Sequence, residues 1–254
     1  MMLLAARLRI VAVVPKVQPE MNSPVIGVSA EDTGKFVLGT VPVEADGSAY
    51  FRVPSGMPFF FQALDRDGYA VQTMRSLTYV QPNTTLSCIG CHESRDYAPL
   101  PGRMPLALAH EPSRVKPDPD GSWPLRYDQL VQPVLDKLCV SCHRKGSSDV
   151  EAAKLDLTAA VSYGALLGYA GDDLKKLAFE KDFSTVGDMP ARKSKLLALL
   201  TADKGHKDIK LDADSRQRLV TWMDTYANRQ GAFSSQQESQ LREFRVRMAH
   251  LLEQ

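Results

Sequence analysis

All four cysteines of this 254-residue chain fall in two copies of one pattern, Cys-x-x-Cys-His. The first is SCIGCHESRDY, with Cys88, Cys91 and His92; the second is CVSCHRKG, with Cys139, Cys142 and His143. This spacing constrains the chain more than any other feature, because it reads as attachment of c-type haem. Two thiols add across the haem vinyl groups, and two intervening residues span the distance between them. The histidine that follows is then held beneath the iron as an axial ligand. The competing readings fit less well. An all-cysteine zinc site would not need a histidine after each pair, and 47 residues separate Cys91 from Cys139. A thioredoxin-like redox motif would come once, in a βαβ context. Two covalently bound haem c groups are therefore expected.

Haem attachment takes place outside the bacterial cytoplasm, so a periplasmic or otherwise extracytoplasmic protein is expected. The opening MMLLAARLRIVAVVP runs into a strand-like alternation without a small-residue cleavage site, and is a poor secretory signal. The two observations are reconciled if the chain is an internal or N-terminally incomplete fragment. The formal net charge of +1, with acids and bases interspersed, gives no electrostatic case for nucleic acid or for an anionic membrane surface. No stretch approaches the length of an apolar membrane span.

The pattern along the chain predicts an α+β protein: an antiparallel, β-sandwich-like N-terminal domain carrying a haem loop, followed by an all-α cytochrome c-like domain. In KFVLGTVPVEADGSAYFRVPSG and MPFFFQALDRDGYAVQTMRSLTYV, β-rich runs are split by Asp46-Gly47 and Asp67-Gly68, which suggests antiparallel hairpins. The aromatic run Phe59, Phe60, Phe61 is expected to pack in the core. Seven prolines between Pro99 and Pro124 mark a surface linker. Residues 1–114 then form the β-rich unit with the first motif, and residues 115–233 the helical unit with the second. In YDQLVQPVLDKL the period becomes helical, and Pro133 predicts a helix start or kink. That helix ends on Cys139. DADSRQRLVTWMDTYANRQG predicts an amphipathic helix burying Leu219, Trp222, Met223 and Tyr226. Residues 234–254 predict a charged helix, a tail suited to docking on a missing part or a partner.

The second axial ligands are open on spacing alone. For the second haem, His206 in ADKGHKDIKL and Met189 in VGDMPARKS both qualify. For the first, Tyr97, His110 and His250 remain, a phenolate being a known iron ligand.

GTVPVEADGSAYFRVPSGMPFFFQALDRDGYAVQTMRS followed by a CxxCH site resembles the middle domain of the hydrazine synthase alpha subunit family. KGHKDIKLDADSRQRLVTWMDTYA is similar to the end of that family's cytochrome domain. The resemblance implies a preceding β-propeller, absent here, and a catalytic first haem. It implies Tyr97 as the iron ligand there, with His92 turned to a zinc ion whose other ligands come largely from the absent region. Zinc is accordingly not expected on this chain. For the second haem it implies His206, a bis-histidine pair with His143. The chain is thus expected to be a dihaem electron-transfer module served by redox partners or other subunits. The alternative is a catalytic haem subunit acting on small nitrogen compounds, and a third reading makes the β domain a scaffold.

Overall fold

The computed structural model describes residues 5–20, 22–88, 102, 104–179, 185–203 and 205–253. Four strands, β1 (Arg7–Val14), β2 (Gly34–Pro42), β3 (Phe59–Leu64) and β4 (Ala70–Thr73), form one antiparallel sheet in the order β2-β1-β3-β4. β1 is rich in β-branched residues, which suit a pleated surface, and it occupies an inner position, paired on both edges. β3 and β4 join through a tight turn in which Asp65 Oδ1 accepts from the amides of Asp67 and Tyr69. The run after Asp46-Gly47 is not a strand among the described residues. It keeps only a bridge between Phe51 and Ser113.

Among the described residues the expected two packed sheets are one sheet, covered by helices and loops. Eight α-helices follow among the described residues: α1 (Tyr127–Leu130), α2 (Gln132–Leu138), α3 (Val150–Ala153), α4 (Ser162–Ala178, interrupted at 169–172), α5 (Pro190–Lys193), α6 (Lys195–Thr201), α7 (Ala213–Asp224) and α8 (Ser235–Arg247). On one sheet face Ile10, Ala12, Val14, Phe36 and Leu38 pack with Trp123 and with Leu241, Phe244 and Met248 of the C-terminal helix region. The charged tail helix α8 therefore docks on the sheet of its own chain. Ser234 caps it at Gln237, and Trp123 donates its indole N–H to the Leu241 carbonyl. On the other face Val11, Val13 and Phe60 meet Tyr226 at the end of α7. Burial on both faces explains why β1 and β2 read as nearly continuous apolar runs rather than clean alternations. Gly39 sits at a bulge in β2 with φ of +137°, where a Cβ would lie 2.2 Å from the Lys116 carbonyl oxygen. A side chain there would push the linker off the sheet.

The sheet meets α7 through a buried polar seam. Arg9, 1% exposed, donates to Gln62 Oε1 (3.2 Å) and Thr221 Oγ1 (3.1 Å), and its Nε lies 3.4 Å from Asp118. Gln62 in turn donates to the Asp224 carbonyl. The Asp224 carboxylate accepts from the amides of Ala70 in β4 and Ala191 in α5, both at 2.9 Å. Three elements are thereby fastened to one side chain. Complete burial pushes the Asp224 carboxyl up to about 6 from its ordinary 3.8, against the pull of Arg9, of the two amides and of Arg192. Its proton is held more tightly in the folded chain than in the unfolded one. Its contribution to stability is therefore fully present below pH 3.8 and is lost as pH rises through about 6. The displacement corresponds to about 3 kcal/mol between those limits. An Asp224→Asn variant lacks this titration, so the difference in unfolding free energy between wild type and variant should narrow as pH rises from 4 to 7. A difference that stays constant in urea titrations across that range would overturn the assignment to Asp224.

Candidate haem site at the second motif

Pro133 stands in the first turn of α2, where its missing N–H costs nothing, and α1 ends just before it. The helix ends on Cys139, whose amide donates to Leu135, and the motif then folds into a tight turn. The amides of Cys142 (3.1 Å) and His143 (2.9 Å) both donate to the Cys139 carbonyl. Cys139 is half-buried, and burial pushes its thiol up to about 11; Cys142 is exposed. Neither is in a disulfide, and neither is Cys88.

His143 projects into a slot walled by Leu135, Leu138, Leu166, Leu199 and Leu219, from α2, α4, α6 and α7, and by Leu157 in the loop before α4. Its Nδ1 is 3.0 Å from the Ala152 carbonyl on α3, so Nδ1 carries the proton and Nε2 presents its lone pair to the slot. From the opposite side comes His206. The two Nε2 atoms face each other at 3.5 Å, with ring centroids 5.7 Å apart and planes tilted by 32°. His206 is carried on a two-residue turn closed by the Ile209 amide on the His206 carbonyl at 3.0 Å.

The arrangement can be tested for metal ligation directly. An imidazole–metal bond of about 2.0 Å would set two such nitrogens about 4 Å apart. The observed separation is about half an ångström shorter, within a small ring movement. Beside the pair the slot keeps an apolar cavity of about 80 Å³. Among the described residues no three His, Cys, Asp or Glu side chains converge on a common point. Two facing imidazole nitrogens suit a group that would bring its own equatorial donors; Cys139 lines the slot and Cys142 is exposed on the same turn. Anchoring of His143 through Nδ1–H to a backbone carbonyl is the outer-shell support such ligands require.

The other candidates are placed elsewhere. Met189 is buried with Leu64 and Ala70 at the start of α5, against the sheet and away from the histidine pair. His110 is exposed and bonded through Nε2 to Glu44 (3.1 Å) and through Nδ1 to the Glu111 carbonyl (2.8 Å); these contacts, the carbonyl first, raise its pKa. His250 is exposed in the C-terminal turn, its Nδ1 bonded to the Arg247 carbonyl. Cys88 ends a described segment and is exposed. Cys91, His92 and Tyr97 lie outside the described residues. The residue that sequence reasoning passed over is Asp149, which joins the two histidine loops. Its signal was an aspartate three residues before a helical alanine, the pattern of an N-cap.

An α+β chain with one antiparallel sheet, a helical half and a histidine pair beside a CxxCH turn defines a class of fold that has been seen before. The solved hydrazine synthase of Kuenenia stuttgartiensis superposes on 90% of this chain with a TM-score of 0.59 and 18% sequence identity, a likeness of fold. Residues 5–93 match the family model described as the hydrazine synthase alpha subunit middle domain, a segment that ends just past the first CxxCH. Hydrazine synthase subunit alpha of Kuenenia stuttgartiensis is 34% identical over 73 residues. Over residues 5–93 the chain is thus similar to the middle domain of the hydrazine synthase alpha subunit family. It spans 9% of that curated relative's length and 39% of the solved chain. Among the described residues no helix is long and apolar enough to cross a membrane.

Proposed function

We propose that the chain is a dihaem c-type cytochrome module whose second site, attached at Cys139 and Cys142 and ligated by His143 and His206, relays electrons. The observation that carries this reading is the facing of the two imidazole nitrogens at 3.5 Å across an apolar slot next to a CxxCH turn. His143 and His206 would hold the haem there, and when bound it would supply reversible one-electron transfer. The residues do the rest. Ala152 holds the His143 ring through Nδ1, the leucine walls exclude water, and His206 closes the position a substrate would need. The module would work outside the cytoplasm, with redox partners or further subunits.

His206→Ala tests the assignment. In protein produced with cytochrome c maturation machinery, the second haem should turn from low-spin to high-spin and gain carbon monoxide binding. An unchanged low-spin spectrum removes His206.

A second reading is favoured by the match over residues 5–93, which includes the first motif. There the chain is part of a catalytic subunit, with redox chemistry on small nitrogen compounds at the haem of Cys88 and Cys91 and Tyr97 as its iron ligand. It requires a high-spin haem in the wild-type chain that binds nitric oxide or carbon monoxide. Two low-spin haems binding neither would rule it out.

A further inference from the structure

Both histidines of the pair are held by loops, and the two loops meet at one side chain. Asp149 is the N-cap of α3. Its Oδ1 accepts from the Ala152 amide at 3.0 Å, and the carbonyl of that same Ala152 anchors His143 Nδ1. The other oxygen, Oδ2, accepts from Lys207 Nζ at 3.0 Å, and Lys207 follows His206 directly. One carboxylate therefore reaches the supports of both facing imidazoles.

The distal turn needs such a support. Lys207 (φ of 52°) and Asp208 (φ of 60°) occupy successive left-handed positions between the bridged residues His206 and Ile209. This is the geometry that asparagine and glycine favour at both central positions, and residues with ordinary side chains adopt it at a cost. The turn that points His206 into the slot is not one this sequence would select locally. Something must hold it, and the Lys207–Asp149 contact is the tie that leads from the turn to the opposite loop.

We infer that Asp149 is a positioning residue that couples the two axial histidines, fastening the strained His206 turn to the helix that orients His143. This rests on the haem reading of the pair. The substitution Asp149→Asn separates its two roles, because asparagine still caps a helix but no longer pairs as an anion with lysine. Lys207→Ala removes the same tie from the other side and leaves the cap intact.

The experiment uses the full haem-loaded chain, with the contribution of the first site taken from a Cys139→Ala, Cys142→Ala chain. Carbon monoxide binding to the reduced protein and the midpoint potential of the second haem are measured for wild type, Asp149→Asn, Lys207→Ala and His206→Ala. An exposed ion pair controls a modest equilibrium, so both tie-breaking variants should raise the carbon monoxide affinity of the second site by about two- to fivefold. Their potentials should move in the direction set by His206→Ala, in which the site is fully open. If both variants match wild type while His206→Ala opens the site, the coupling role is wrong and the haem reading stands. If His206→Ala itself changes nothing, the ligand assignment fails and the coupling with it.

Discussion

With Cys139 and Cys142 both replaced by alanine, the chain matured as a cytochrome c is expected to carry one covalent haem in place of two. The argument is local. The two sulfurs sit on one turn, fixed by two amides donating to the Cys139 carbonyl, and among the described residues the other cysteine, Cys88, is exposed and does not line the slot. Removing both thiols leaves His143 and His206 in place, so the slot itself should survive. Pyridine haemochrome analysis gives haem per chain, and mass spectrometry gives the covalent increment. The reading fails if the double variant retains two attached haems, or if wild type carries none. The comparison also isolates the first site, whose spin state separates the relay from the catalytic reading.

Trp222→Ala should be the most damaging single change in the helical half, at about 3–5 kcal/mol of unfolding free energy. Trp222 is fully buried on α7, three residues from Leu219 in the wall of the histidine slot. Its ring packs against Tyr127 (centroids 5.2 Å) and Tyr163 (6.3 Å), whose hydroxyls burial holds well above the ordinary tyrosine range. Its indole N–H donates to the Asn228 carbonyl at 3.0 Å, and Asn228 receives Lys35 from β2 at 3.1 Å. Truncation thus opens a large void and leaves a buried carbonyl without its donor. Trp222→Phe refills most of the void and loses the hydrogen bond alone, at about 1–3 kcal/mol. Urea unfolding of the two variants measures both costs. An alanine variant within 1 kcal/mol of wild type would show that this core relaxes around the loss, contrary to the close packing expected of protein interiors.

The middle-domain relationship also bears on what the whole protein does. The chain spans only a small part of the relative it matches. A catalytic site shared with further domains would therefore be assembled from more than the residues described for this chain. The relay reading is confined to residues present here, and for that reason it can be tested on this chain alone.

How much was legible in the sequence follows from the range of the interactions involved. The CxxCH turn is local: two thiols and a histidine at fixed spacing announce themselves without any knowledge of the fold. The helix from Ala213 to Asp224 was legible too, because periodic burial acts within one element, although its cap is Asp212 rather than Asp214 or Ser215. Tertiary structure decided what depends on distant packing. On spacing, Met189 and His206 were equal candidates to face His143. The fold buries Met189 against Leu64 and Ala70 and turns His206 over the slot. The sandwich expected from alternating strands became one sheet, because α7 and the charged helix α8 cover its faces. Arg9 and Asp224 would each pass for solvent-facing charges. They are buried, because partners contributed by the sheet, by α5 and by the linker satisfy them. The sequence by itself placed the two CxxCH motifs; which residue faces His143 was decided by packing among segments more than sixty residues apart.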